Sequence, residues 1–228
     1  TPWKIHPANN NLIVAGYDEV YLSQTGGGVW DSLTYNVSNG ASLQTIALAP
    51  SDQDYIYAAS YTRIKMTKDG GNTWIDIKQG LPNFNISDVT VSNDDAERLW
   101  VTFSEYNANK KVYESTDGGN SWTNISGTNL PNLPVNCIIH QKLAKDDLYI
   151  GTDVGVYHKD NTMSEWMPFM SGLPNVVVKE LEIQYGIGKI RAATFGRGIW
   201  ESDVNSTTAS TNGMFFSAIK IYPNPTNE

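Results

Sequence analysis

Thr67-Lys68-Asp69-Gly70-Gly71-Asn72-Thr73-Trp74 and Ser115-Thr116-Asp117-Gly118-Gly119-Asn120-Ser121-Trp122 are one phrase written twice. Asp69 and Asp117 stand 48 positions apart, a period that belongs to propellers or solenoids rather than to a single undivided core. An Asp in a tight turn accepts hydrogen bonds from backbone N–H groups two residues on. The Gly-Gly pair supplies the positive φ that a short hairpin between twisted strands requires. Asp69, Gly71, Asp117 and Gly119 therefore read as turn staples. Trp74 and Trp122 read as the openings of the strands that follow, each able to bury about 150–250 Å², worth about 4–6 kcal/mol at the upper bound.

Degenerate copies extend the array in both directions. Ser23-Gln24-Thr25-Gly26-Gly27-Gly28-Val29-Trp30 keeps the Ser, Gly and Trp positions with Thr25 in place of the Asp, and His158 to Trp166 keeps Asp160 and the Trp but loses the glycines. The tryptophans at 30, 74, 122 and 166 fall at intervals of 44, 48 and 44 residues. A second ladder of turns, Gly80-Leu81-Pro82, Asn129-Leu130-Pro131 and Gly172-Leu173-Pro174, runs in phase behind it. Between the ladders lie short segments rich in β-branched and aromatic residues, separated by turn clusters. They divide into five units. Units two to four have four strands each. Unit one begins at Asn11–Ala15, and unit five ends at Gly198–Ser202 with its fourth strand expected from upstream. That is the grammar of a β-propeller blade, and the fold class is all-β.

The phrase S/T-x-D-x-G-x-T/S-W is similar to the Asp-box, or bacterial neuraminidase repeat, of a propeller family that includes sialidases, two-propeller xyloglucanases, sortilin-like receptors and photosystem-assembly factors. The resemblance covers residues 1–203 and implies six to ten blades, so that the five units here are expected to form part of a larger propeller.

Composition narrows the function classes. The net charge of −8, with 24 Asp+Glu against 16 Lys+Arg, argues against nucleic acid, whose phosphates need a positive stripe. No run of about 18 apolar residues exists to span a membrane as a helix. The first residue is Thr1, and a processed product that has lost any signal peptide is expected. The single cysteine, Cys137, reads as a buried strand thiol. His6, His140 and His158 fall in different units without metal-ligand spacing. No metal and no cofactor are expected, and Asp52, Asp54, Asp94 and Asp95 read as turn acids.

Residues 204–213 form a Ser/Thr-rich linker. Residues 214–228, with Ile221-Tyr222-Pro223-Asn224-Pro225, resemble the beginning of the type A C-terminal sorting domain of the type IX secretion system, whose hallmark is Y-P-N-P. That resemblance implies a protein handed to the type IX machinery and secreted, or displayed on the outer-membrane surface of a Gram-negative bacterium.

The resemblance also says which face carries ligands. In sialidases and xyloglucanases it is the face of the loops between strands two and three and between one blade and the next. Those loops bring Tyr61, Arg63, Glu105, Tyr106, Asp153 and Arg197 to one rim, where aromatics, carboxylates and guanidinium groups suit a glycan or a protein ligand. The alternative is an Asp-box glycoside hydrolase completed by residues upstream. Glu105 with Asp153 is the only cross-blade carboxylate pair on that rim, and two such groups are what glycoside hydrolysis needs. Arg63, Arg191 and Arg197 do not make a carboxylate-gripping triad, because Arg191 lies inside a strand and Arg197 in a Gly-Arg-Gly turn. No catalytic residue is assigned.

Overall fold

The computed structural model describes residues 1–33, 37–38, 40–142 and 146–205, together with the backbone of Lys220–Tyr222. Within these residues the chain is all-β, and its strands form five antiparallel four-stranded sheets arranged as the blades of a β-propeller. Blade one is β1 (Trp3–His6), β2 (Asn9–Gly16), β3 (Val20–Ser23) and β4 (Asp31–Ser32). Blade two is β5 (Thr45–Leu48), β6 (Ile56–Ala59), β7 (Ile64–Thr67) and β8 (Ile75–Asp76). Blade three is β9 (Ile86–Val91), β10 (Leu99–Phe103), β11 (Val112–Ser115) and β12 (Thr123–Asn124). Blade four is β13 (Val135–His140), β14 (Leu148–Thr152), β15 (Gly155–Lys159) and β16 (Met167–Pro168). Blade five is β17 (Val178–Gln184), β18 (Lys189–Thr194), β19 (Gly198–Asp203) and β20 (Lys220–Tyr222).

Two parts of this layout differ from the sequence reading. Blade one has a first strand, β1, that its exposed and mixed composition hides: three of its four residues face solvent. The fourth position of blade five is taken by Lys220–Tyr222, which pairs with β19, where the sequence reading expects a strand from upstream. Residues 206–219 and 223–228, which hold most of the expected linker and sorting segment, lie outside the described residues. No helix among the described residues is long and apolar enough to cross a membrane.

The second strands of the middle blades explain the long apolar runs. β6, β10 and β14 are buried along their whole length because each is covered on both faces by neighbouring blades, so a continuous run replaces simple alternation. Four hydrophobic cores result, one between each pair of adjacent blades. Val14, Leu22 and Ile46 belong to the first, Tyr57, Met66 and Val89 to the second, Trp100, Ile150 and Trp166 to the third, and Tyr149, Leu181 and Trp200 to the fourth. The first strands pack in order, β1 beside β5, then β9, β13 and β17. Asp88 on β9 ties three blades together: its carboxylate accepts from Thr45 Oγ1 at 2.7 Å and from the backbone N–H of Ile138 at 3.0 Å. Burial pushes that carboxyl's pKa up.

Candidate ligand-binding face

Antiparallel order puts the turns between strands one and two and between strands three and four on one face. The loops between strands two and three share the other face with the blade-to-blade connections. The two faces are built differently.

On the first face the repeated turn closes on itself. Asp69 Oδ1 accepts from Thr67 Oγ1 at 2.8 Å and from the Thr73 backbone N–H at 2.8 Å, and Oδ2 accepts from Thr73 Oγ1 at 2.6 Å. Asp117 repeats the set with Ser115 Oγ at 2.8 Å, the Ser121 N–H at 2.9 Å and Ser121 Oγ at 2.6 Å. The staple therefore reaches four residues on, not two; the shorter reach belongs to the hydroxyl of Thr67 or Ser115, which accepts from the N–H of Asp69 or Asp117. These bonds favour the ionised form. The Thr73 hydroxyl and N–H hold the Asp69 pKa at about 2, and those of Ser121 lower Asp117 likewise. Gly70 and Gly118 then donate to the Asp54 and Glu97 carbonyls of the neighbouring one-to-two turns. In blade one Thr25 substitutes for Asp with a single oxygen, accepting from the Val29 N–H at 2.8 Å.

The tryptophans of blades three and four bridge to the preceding blade. Trp122 Nε1 donates to the Ile77 carbonyl at 3.0 Å and Trp166 Nε1 to the Ile125 carbonyl at 2.9 Å. Trp74 packs against the core shared by blades one and two. Blade five has no such turn, and an apolar cleft lined by Phe169, Leu173, Leu181 and Trp200 lies between it and blade four.

The opposite face presents aromatic rings. Tyr61 and Tyr106 are 52% and 68% exposed, and the same class of loop adds Tyr17 at 60% and Phe195 at 73%. Their backbones are nevertheless fixed. The Tyr17 carbonyl accepts from the Leu43 N–H at 2.6 Å, the Tyr61 carbonyl from Ile86 at 2.8 Å, and the Phe195 N–H donates to Val177 at 2.9 Å. The Tyr106 loop is held by Asn124 Nδ2 donating to the Asn109 carbonyl at 2.7 Å and by the Lys111 ammonium donating to the Glu105 carbonyl. Lys111 is fully buried, and that burial lowers its pKa.

The predicted charged residues separate into two groups. Arg63 and Arg197 are exposed beside the rings. Glu105 is engaged in the scaffold, accepting from the Asn85 N–H at 3.2 Å, and Asp153 accepts from Asn136 Nδ2 at 2.9 Å. Arg191 pairs with Glu201 at 2.9 Å within blade five. The three histidines serve packing: His6 Nε2 donates to the Ala49 carbonyl, His140 stacks on Trp100 and His158 bonds Asp147. No group of three or more His, Cys, Asp or Glu among the described residues could hold a metal.

Tyr17 is the rim residue that sequence reasoning missed. The signal for it is its place directly between the expected strands Asn11–Ala15 and Val20–Ser23.

No family model and no curated protein matches this chain. Among solved structures, the Xanthomonas campestris GH74 xyloglucanase is similar over 89% of this chain and 36% of its own, with a TM-score of 0.69 and 15% identity. The β-propeller domain of Myceliophteria thermophila Cps50 (Swd1) is similar over 93% of this chain and 68% of its own, with a TM-score of 0.71 and 10% identity. YCF48 bound to D1 peptide is similar over 89% of this chain and 64% of its own, with a TM-score of 0.63 and 12% identity. At these identities the likeness is one of fold. The chain spans about a third of the length of the GH74 enzymes it resembles.

Proposed function

We propose that this chain is an Asp-box propeller module that binds a glycan or protein ligand on the face of its two-to-three loops. The observation that carries this reading is the set of four exposed aromatic rings, Tyr17, Tyr61, Tyr106 and Phe195, mounted on loops whose backbones are already fixed. Rigid aromatic surface binds sugars or side chains with little ordering cost, and Arg63 and Arg197 add donors for hydroxyl, carboxylate or carbonyl groups. The fold likeness to a xyloglucanase and to a peptide-bound propeller is compatible with either ligand class. Binding is favoured over hydrolysis because Glu105 and Asp153 hold loops and strands in place.

A glycan array and a pull-down from secreted or surface protein, run with wild type and with the Tyr61→Ala/Tyr106→Ala variant, test the reading. A signal lost in the variant at unchanged melting temperature supports it; an unchanged signal removes the rim from the account. Release of reducing sugar from a bound glycan would move the chain to the hydrolase class.

Delivery by the type IX route is part of the same proposal and rests on Tyr222-Pro223-Asn224-Pro225. Chains ending after Asp203 and after Tyr222 should both accumulate in the periplasm. The second keeps the Lys220–Tyr222 pairing with β19, so its retention reports the sorting segment rather than a damaged blade. Normal surface delivery of both would set the motif aside.

A further inference from the structure

The strand register shows what covers the outer face of each blade. Ile46 and Leu48 on β5 are 0% and 9% exposed because blade one lies against them. In blade one the corresponding register positions, cross-strand from Ala15 and Ile13, are Trp3 and Ile5, and these are 62% and 45% exposed.

The repeated turn makes the same comparison independently. A branched side chain just past the fourth strand of one blade sits against the second glycine of the next blade's turn. A Cβ built on Gly71 would fall 2.7 Å from Leu33 Cδ1, and one on Gly119 would fall 2.6 Å from Ile77 Cβ. On Gly27, the equivalent in blade one, the nearest atom is Ile13 Cδ1 of the same blade at 3.9 Å. Trp122 and Trp166 donate to the preceding blade's carbonyls, whereas Trp30 turns back to its own Gly27 carbonyl at 3.0 Å and is 43% exposed. Trp74 packs against the core between blades one and two, and its Nε1 finds no hydrogen-bond partner among the described residues. Packing on the preceding blade is thus common to all three later tryptophans.

We propose that the outer face of blade one, built from Trp3, Ile5, Gly27 and Trp30, is a docking site for a further four-stranded propeller blade. That blade presents a Leu or Ile side chain and a free carbonyl just past its fourth strand. The side chain seats over Gly27 and the carbonyl accepts from Trp30 Nε1 in place of the Gly27 carbonyl, as Ile77 of blade two seats over Gly119 and accepts from Trp122 Nε1 of blade three. An exposed apolar surface of this kind, with Trp3, Ile5 and Trp30 at positions that the next blades cover, marks an interface rather than ordinary solvent-facing sheet.

The test is hydrogen exchange at the tryptophan indole N–H groups, seven in all, with Trp30 assigned from a Trp30→Phe variant. In the 228-residue protein Trp30 should exchange at least about a hundredfold faster than Trp122. Comparable protection of the two would overturn the proposal without further engineering. Residues 45–85, blade two with its onward connection, are then joined ahead of Thr1. The added blade should slow Trp30 exchange at least about tenfold, and an Asp in place of the added copy's Ile77 should abolish that protection. Unchanged Trp30 exchange beside a folded added blade would overturn the proposal. So would protection of Trp30 that grows with the concentration of the unextended chain, since the occupant would then be a second copy.

Discussion

The two faces of the propeller are made from the ends of the same strands and put their polar groups to opposite uses. On the turn face the carboxylates of the repeated phrase are saturated at home: Asp69 and Asp117 each take three short bonds from residues no more than four positions away. On the loop face the backbone is fixed while Tyr17, Tyr61, Tyr106 and Phe195 stand in solvent. A repeated motif thus marks what holds the blades together. The irregular loops opposite, which share no motif, carry what can meet a ligand.

The largest effect that should divide the faces is on stability. Trp166 is wholly buried and bonded to Ile125 of the preceding blade, so Trp166→Ala should cost about 3–5 kcal/mol. Trp30→Ala, at the same place in blade one but exposed and bonded within its own turn, should cost under about 1 kcal/mol. Urea melts of both variants check this. Equal losses would mean that these tryptophans serve their own blades after all.

A smaller effect is expected at the turn acids. Asp117→Ala removes the acceptor for Ser115 and Ser121 and should lower the melting temperature by a few degrees, leaving the loop face and its ligand affinity unaltered. Melting curves and binding isotherms on the same sample report the two quantities separately.

The smallest effect is in acid. Because the folded-state pKa of Asp69 is depressed to about 2, its stabilisation is complete above the ordinary carboxylate range near pH ~4 and is lost as the pH falls towards about 2. The melting-temperature gap between wild type and Asp69→Asn should therefore be widest near neutral pH and close over that window. A gap that stays constant down to about pH 2 would show that the charge of Asp69 is not what its neighbours hold.

The blade count and most strand positions were legible because Gly-Gly turns and tryptophans leave a period in the sequence. β1 was not, since an exposed strand such as Trp3–His6 carries no burial pattern to read. β20 escaped for a different reason: its pairing with β19 spans a long connection, and local composition says nothing about such a contact. On the candidate face, Tyr61, Arg63, Tyr106 and Arg197 lie in loops between second and third strands. The hydrogen bonds of Glu105 and Asp153 with Asn85 and Asn136 join residues whose proximity only the folded chain reveals.

The central claim, that one face holds the fold and the other meets the ligand, is tested most directly by crossing two double variants against two readouts. Tyr61→Ala/Tyr106→Ala and Asp69→Ala/Asp117→Ala are compared with wild type for glycan-array or pull-down signal and for melting temperature. The account predicts that the tyrosine pair loses at least about tenfold in binding, as expected for aromatic anchors, at an unchanged melting temperature, while the aspartate pair melts lower and binds as wild type. Loss of binding in the aspartate pair at an unchanged melting temperature, with the tyrosine pair binding normally, would contradict it.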